Sequence, residues 1–262
     1  MNNLDHIETF LLDMDGTIYL GERLIDGAAE FLAEIKRRGK RYLFLTNNSS
    51  KNRLDYVAKL KKLGIAAKPD EIFTSGEASV IYLRERYPGG RVVLLGTPSL
   101  ELEFMEAGFA LERRRSRAVD FVLLGFDTTL TYDKLWTACD YVRNGAPFYA
   151  THPDLNCPLE GGRVMPDAGA MIKLVEAATG ISPEIIGKPY MPMVDGIVKK
   201  YGLERQGLAI VGDRLYTDIA LARRAGIASF LVFSGETSPA DLAASDIRPD
   251  FAVDSVREIF PA

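Results

Sequence analysis

Cysteine, histidine and tryptophan are scarce in this chain of 262 residues, with two, two and one copies. Cys139 and Cys157 have no metal-ligand spacing and are too few for a disulfide framework, which excludes a zinc module and a stapled secreted scaffold. Cys139 falls in a helical pattern and reads as a small buried hydrophobe. Long apolar runs are missing as well. None approaches the roughly 18 residues of a membrane span. The first segment carries Asp5 and Glu8 without a long apolar stretch, so no signal peptide is expected. These absences predict a cytoplasmic protein without a membrane partner. Basic charge is also short. A formal net charge of −4 argues against general nucleic-acid binding, which needs a basic face. The one dense basic cluster, Arg113-Arg114-Arg115 with Arg117, reads as a solvated turn. No repeat or low-complexity segment occurs. What remains is ordinary for a folded protein: 47% hydrophobic and 26% charged residues exclude disorder. The length suffices for one large domain or two smaller ones.

The chemistry-bearing stretch is Phe10-Leu11-Leu12-Asp13-Met14-Asp15-Gly16-Thr17. An apolar run with the look of a buried strand ends in two carboxylates. On an extended backbone, residues two apart point the same way, so Asp13 and Asp15 are expected to share a pocket. Facing carboxylates repel, which implies a metal ion, a proton-transfer role, or both. Asp-x-Asp-Gly-Thr has four fixed positions and would arise by chance in roughly 0.5% of chains this long.

Along the chain, strand and helix patterns alternate. Strands are predicted at 10–13, 41–45 and 71–74, separated by helices at 27–40 and 51–63, with a loop at 18–26. A second series spans about 76–183. It has strands at 91–96, 121–125 and 148–151 and helices at 78–87, 99–108, 131–144 and 168–179, the last with Asp167 as N-cap. The first pattern then resumes, with a helix at 193–201, a strand at 208–212 ending in Asp213, a helix running on to Gly226, and strands at 228–233 and 251–253. Alternation of this kind predicts parallel pairing with crossovers, and such sheets gather working residues at the C-terminal ends of their strands. Four polar clusters lie there: Asp13/Asp15, Thr46/Asn47, Lys188, and Asp213/Asp218. Three carboxylates with a backbone carbonyl and waters suit Mg²⁺. A hydroxyl, backbone N–H groups and an ammonium suit a phosphate. Singly, each cluster also has a plain structural reading as a turn or cap; their joint order on one α/β scaffold is what points to a site.

The chain resembles the haloacid dehalogenase superfamily of phosphohydrolases, in its NagD-like, 4-nitrophenylphosphatase branch. The matching stretches are Asp13-Met14-Asp15-Gly16-Thr17, Leu45-Thr46-Asn47-Asn48-Ser49, Gly187-Lys188-Pro189 and Val211-Gly212-Asp213-Arg214-Leu215-Tyr216-Thr217-Asp218-Ile219. Looser matches are Tyr19-Leu20-Gly21, Gly27-Ala28 and Ala150-Thr151-His152-Pro153-Asp154. The similarity runs over nearly the whole chain. It implies a Rossmann-like parallel-sheet core from residues 1–77 and 183–262, with an inserted α/β cap domain at 78–182. It implies a Mg²⁺-dependent phosphatase of small-molecule phosphate monoesters working through an aspartyl-phosphate. Asp13 would be the nucleophile and a metal ligand, and Asp15 the acid and base that lends its carbonyl to the metal. Asp213 would complete the metal site, with Asp218 either an outer partner or a ligand. Thr46, Asn47 and Lys188 would hold the phosphate. His152, where many relatives have Asn, and Asp154 lie where substrate contact is expected, as do Phe126, Asp127, Thr128 and Asn156. Sugar phosphates, nucleotides, polyol phosphates, pyridoxal phosphate and 4-nitrophenyl phosphate all remain open as substrates. A homodimer through the cap follows from the resemblance alone. Phosphotransferases, phosphonate cleavers and dehalogenases of the same superfamily, and a phospho-acceptor receiver domain, are the alternatives. A phosphonate cleaver would need a Schiff-base lysine, and the middle segment offers only Lys134 and Lys173. A receiver domain lacks a 100-residue insert and orders its acids differently.

Overall fold

The computed structural model describes residues 4–159 and 163–260. In chain order the regular elements begin with β1 (Thr9–Asp13), β2 (Tyr19–Leu20), β3 (Arg23–Leu24), α1 (Ala28–Arg37), β4 (Arg41–Thr46), α2 (Arg53–Lys62) and β5 (Ile72–Thr74). Next come α3 (Ser75–Arg86), β6 (Arg91–Leu95), α4 (Pro98–Glu106), β7 (Ala110–Leu111), β8 (Phe121–Leu124), α5 (Tyr132–Arg143), β9 (Phe148–Ala150), β10 (Asn156–Pro158), β11 (Val164–Pro166), α6 (Ala168–Thr179) and β12 (Glu184–Ile185). The chain ends with α7 (Met191–Tyr201), β13 (Leu208–Gly212), α8 (Ala220–Ala225), β14 (Ala228–Val232), α9 (Pro239–Ala244) and β15 (Phe251–Val253). No helix among the described residues is long and apolar enough to cross a membrane.

The chain forms two compact units. The first comprises Met1–Thr46, Tyr56–Phe73 and Lys188–Ala262; the second comprises Asn47–Asp55 and Thr74–Gly187.

In the first unit a six-stranded sheet runs in the order β15-β14-β13-β1-β4-β5. Its pairings from β15 through β4 are parallel. The central strand β1 is buried along Thr9–Leu12, as a parallel strand covered on both faces must be. Phe10 anchors one face by ring contacts with Phe31, Phe230 and Phe260 at centroid distances of 6.2, 6.2 and 5.6 Å. Phe31, Leu32 and Ile35 are the buried stripe of α1 and join the same core.

The second unit has its own parallel sheet, order β12-β9-β8-β6-β7. Its core is built from Val93, Leu95, Val122, Leu124, Phe126, Ala138, Val142 and neighbours from α5 and α6. Cys139 is buried in this core, as a small hydrophobe would be.

Four local features differ from the sequence expectation. Residues 18–26 are not a plain loop but contain the β2–β3 hairpin. Gly21, at φ +62°, makes its tight turn, and two-residue strands are too short to show alternation. The β10–β11 hairpin is short and proline-flanked, so it left no period either. Helix α9 is started by a reciprocal cap between Ser238 and Asp241 with Pro239 in the first turn, a readable start signal that the apolar pattern concealed. The helix predicted after Asp213 begins instead as a π-helical turn, Leu215–Ile219, before α8.

Candidate active site

The register of the first sheet puts three polar residues on one edge. Leu12 lies beside Val211 and Asp13 beside Leu45. The next residue on each flanking strand is therefore at the same level: Gly212 leading to Asp213 on β13, and Thr46 on β4. All three strands run parallel, so Asp13, Thr46 and Asp213 mark their common C-terminal edge.

Lys188 reaches this edge from the segment before α7, after which the Lys188–Pro189 peptide is cis. Its ammonium donates to Asp13 Oδ1 at 2.5 Å and Asp218 Oδ1 at 2.7 Å. Lys188, Asp213 and Asp218 are buried. Burial lowers the affinity of the Lys188 amine for its proton, but the Asp13 and Asp218 carboxylates outweigh it and hold the ammonium. Burial pushes the Asp13 carboxyl up to about 7; Lys188 opposes this, and the Asp218 charge adds to it. Asp213 is pushed well above the usual carboxylate range, first by burial and then by Asp13 and Asp218. If all three carboxylates were ionised they would outnumber the one ammonium by two charges, a costly arrangement in a buried site that the raised Asp13 and Asp213 values express.

The glycines of the motifs make room for these acids. A Cβ on Gly212 would collide with the carboxylate of Asp218. The π-helical turn carries that carboxylate back, so that the Arg214 and Thr217 donors lie 3.3 and 3.4 Å from its second oxygen. Gly16, at φ +90°, and Gly235 lie so close to Asp213 Oδ2 that a Cβ on either would overlap it. The Glu236 N–H donates to Asp213 Oδ2 at 2.7 Å. Asp213 Oδ1, by contrast, is buried without a hydrogen-bond partner among the described residues. Ligand atoms of Asp13, Asp213 and Asp218 lie within 4.8 Å of one another. An orphaned carboxylate oxygen and a tight set of carboxylates whose charge burial disfavours fit a divalent cation.

The loop that supplies Gly235 and Glu236 was missed in the sequence. Ser234-Gly235-Glu236-Thr237 follows β14, and Ser234 donates to the Gly16 carbonyl at 2.8 Å. It is a polar strand-end cluster like the four singled out, and the same rule would have found it.

Asp15 lies in the turn that follows the strand. The extended backbone stops at Asp13, and Met14 O accepts from the N–H groups of Ile18 and Tyr19 in a tight turn. The Asp15 carboxylate is outside the acid cluster, half-exposed and 3.8 Å from Lys59 Nζ. Lys59 itself lies 3.8 Å from the centre of the Tyr19 ring.

In the second unit, Asn47 follows Thr46 directly. Its side-chain amide donates to Asp154 Oδ2 at 3.0 Å, and its carbonyl accepts from the Ser75 hydroxyl. His152, where substrate contact is expected, lies in the same unit. The imidazole is fully buried, and its two nitrogens lie 2.9 Å from Thr151 Oγ1 and Asp167 Oδ1. Asp154 is buried as well. Of the other residues named for that role, Phe126 and Asp127 are buried, with Asp127 paired to Lys134 at 2.8 Å, while Thr128 and Asn156 are exposed. The basic cluster is partly neutralised: Arg113 pairs with Glu101 at 2.7 Å and Arg115 with Asp140 at 3.4 Å.

A family model for haloacid dehalogenase-like hydrolases matches residues 10–110, and a second, HAD-hydrolase-like model matches 185–259. An acid sugar phosphatase from Staphylococcus epidermidis is 36% identical over 249 residues, 95% of either chain. The chain belongs to the haloacid dehalogenase-like hydrolases. Among solved structures, this family member aligns with a 4-nitrophenylphosphatase from Thermotoga maritima at 46% identity and a TM-score of 0.92, covering 97% of each chain. It also aligns with a glycerol phosphate phosphatase from Mycobacterium tuberculosis solved with magnesium. There the identity is 31% and the TM-score 0.90, over 97% of this chain and 76% of the other. Within the haloacid dehalogenase-like hydrolases it falls in the NagD-like branch.

Proposed function

We propose that this hydrolase is a Mg²⁺-dependent phosphatase of small phosphate monoesters, with Asp13 as its nucleophile. The observation that carries the reading is the buried Asp13–Lys188–Asp218 ion-pair chain beside Asp213, at one edge of a parallel sheet.

Asp13 attacks phosphorus, and the bond to the leaving oxygen breaks, giving an aspartyl-phosphate. Asp15 gives its proton to the leaving alkoxide. It then takes one from the water that attacks phosphorus and frees Asp13. The half-exposed position of Asp15 suits a group that must exchange protons with solvent. Thr46 and the Asn47 N–H hold phosphate oxygens, and Lys188 offsets their charge. Asp13 and Asp213 with the Asp15 carbonyl would hold the cation. Asp218 instead fixes Lys188, since both of its oxygens already face donors. Bound there, Mg²⁺ supplies a positive charge for the transferring phosphoryl group. Choice of leaving group is assigned to the second unit. Relatives named for sugar phosphates and glycerol phosphate favour small sugar and polyol phosphates.

A panel of metabolite phosphates assayed for phosphate release, with Mg²⁺ and with EDTA, tests this reading. Release from a sugar or polyol phosphate and from 4-nitrophenyl phosphate is expected with Mg²⁺ only. No release from any ester, or transfer only to an added acceptor, would overturn it.

Two variants probe the parts. In single-turnover measurements of leaving-group release, Asp15→Asn should slow the first step with alkyl phosphates by about 10²-fold or more and with 4-nitrophenyl phosphate far less, because that leaving group needs little protonation. Equal losses on both in that first step would contradict the general-acid role. Gly235→Ala places a methyl group where Asp213 Oδ2 sits. It should raise the Mg²⁺ concentration for half-maximal activity by roughly 10- to 100-fold; an unchanged Mg²⁺ titration would count against Asp213 as a ligand.

A further inference from the structure

His152 is the most buried histidine a site could have, yet nothing in the reaction uses it. It stands in the middle of a chain of hydrogen bonds inside the second unit. Asp167 Oδ1 accepts from the Ala168 N–H at 2.6 Å and faces His152 Nε2 at 2.9 Å. His152 Nδ1 faces Thr151 Oγ1, and Thr151 Oγ1 faces Ser49 Oγ, both at 2.9 Å. Ser49 Oγ accepts from the Phe126 N–H at 2.9 Å. A carboxylate can only accept, so Nε2 carries a proton toward Asp167. The Thr151 and Ser49 hydroxyls, which can both donate and accept, continue the chain. Two residues on either side of this line, Asp154 accepts from the Asn47 side chain at 3.0 Å. The segment Asn47–Ser49 is thus held at both ends by the segment Thr151–Asp154.

We infer that His152 is a positioning residue: through Thr151 and Ser49 it fixes the turn after β4, and with it the Asn47 N–H that receives phosphate. It acts on the phosphate, which all substrates share, and not on the leaving group. This rests on the assignment of Asn47 to phosphate made above. Asparagine at this position would reproduce the hydrogen bond at Nδ1 but not the reach to Asp167. The Thr151 arm is the one that bears on the turn, so asparagine should serve and alanine should not.

A double-mutant cycle on His152→Ala and Ser49→Ala tests the inference. Each single variant should raise KM, and the inhibition constant for inorganic phosphate, by about tenfold, with little change in kcat. The factor should be equal for 4-nitrophenyl phosphate and for a sugar phosphate. The double variant should lose no more than the worse single one, because one chain is broken twice. His152→Asn should restore most of the loss. Additive losses, losses that differ between substrates, or a lowered unfolding temperature with unchanged KM would overturn the role. Hydrogen exchange supplies an arm free of turnover: amides of residues 47–50 should exchange faster in His152→Ala and at the wild-type rate in His152→Asn. Unchanged exchange in the alanine variant would refute the clamp. Faster exchange in a protein that hydrolyses no phosphate ester would instead locate the failure in the phosphatase reading.

Discussion

Replacing Asp13 by Asn is expected to lower phosphatase turnover by on the order of 10⁴-fold or more, without unfolding the protein. The carboxamide has nearly the shape of the carboxylate and sits at the end of a strand whose other residues are buried on both faces. It cannot attack phosphorus to form the acyl phosphate, and it removes one charge from the cation site. Lys188 keeps Asp218 as a partner at 2.7 Å, so no ammonium is stranded. Turnover of Asp13→Asn within tenfold of wild type, in a protein with an unchanged circular dichroism spectrum, would end the case for a nucleophilic carboxylate.

The second large effect is on stability. Asp13 titrates at about 7 in the fold against an ordinary 3.8, because burial disfavours its charge. Between those values the folded state binds more protons than the unfolded one, so the free energy of unfolding falls as pH rises. The stability present below about pH 4 is lost as pH passes through about 7. For Asp13 alone the loss is roughly 4 kcal/mol, and Asp213, raised for the same reason, deepens it. A divalent cation favours the ionised carboxylates and should remove the slope. In EDTA, the unfolding temperature should therefore fall between pH 5 and pH 8, and saturating Mg²⁺ should restore it. Asp13→Asn, which carries no charge there, should unfold at a higher temperature than wild type at pH 8 in EDTA. A metal-free wild type whose midpoint is flat or rises across this window would contradict the electrostatic account.

The acids themselves were legible in the sequence. Apolar runs ending in Asp13, Thr46 and Asp213 required buried strands with polar tips, and alternation with helices required parallel pairing. Register then brought those tips level. The roles within the group were less legible, because they depend on turns of a few residues. That Asp15 leaves the strand is decided by the turn onto Met14 O, which the Asp-x-Asp spacing alone does not reveal. The π-helical turn at Leu215–Ile219 is decided by how Asp218 folds back over Gly212, a contact between residues six apart. Gly235 and Glu236 showed the strand-end pattern but lack an ionisable pair, so chemistry did not draw attention to them. His152 looked like a ligand-facing residue on the strength of its loop; burial among Thr151, Ser49 and Asp167 gives it another task. Short hairpins such as β2–β3 left no period to read.

The acyl phosphate on Asp13 is the point on which the rest depends. Mixing Asp15→Asn with 4-nitrophenyl phosphate and Mg²⁺ should leave the intermediate formed but slow to hydrolyse, since the leaving group departs unaided and the attacking water lacks its base. Acid quenching and peptide mass spectrometry should then find one phosphoryl group on the peptide containing Asp13, and none in Asp13→Asn. Phosphoryl mass on any other residue, or its absence from Asp13 while nitrophenol is released in a burst, would contradict the account.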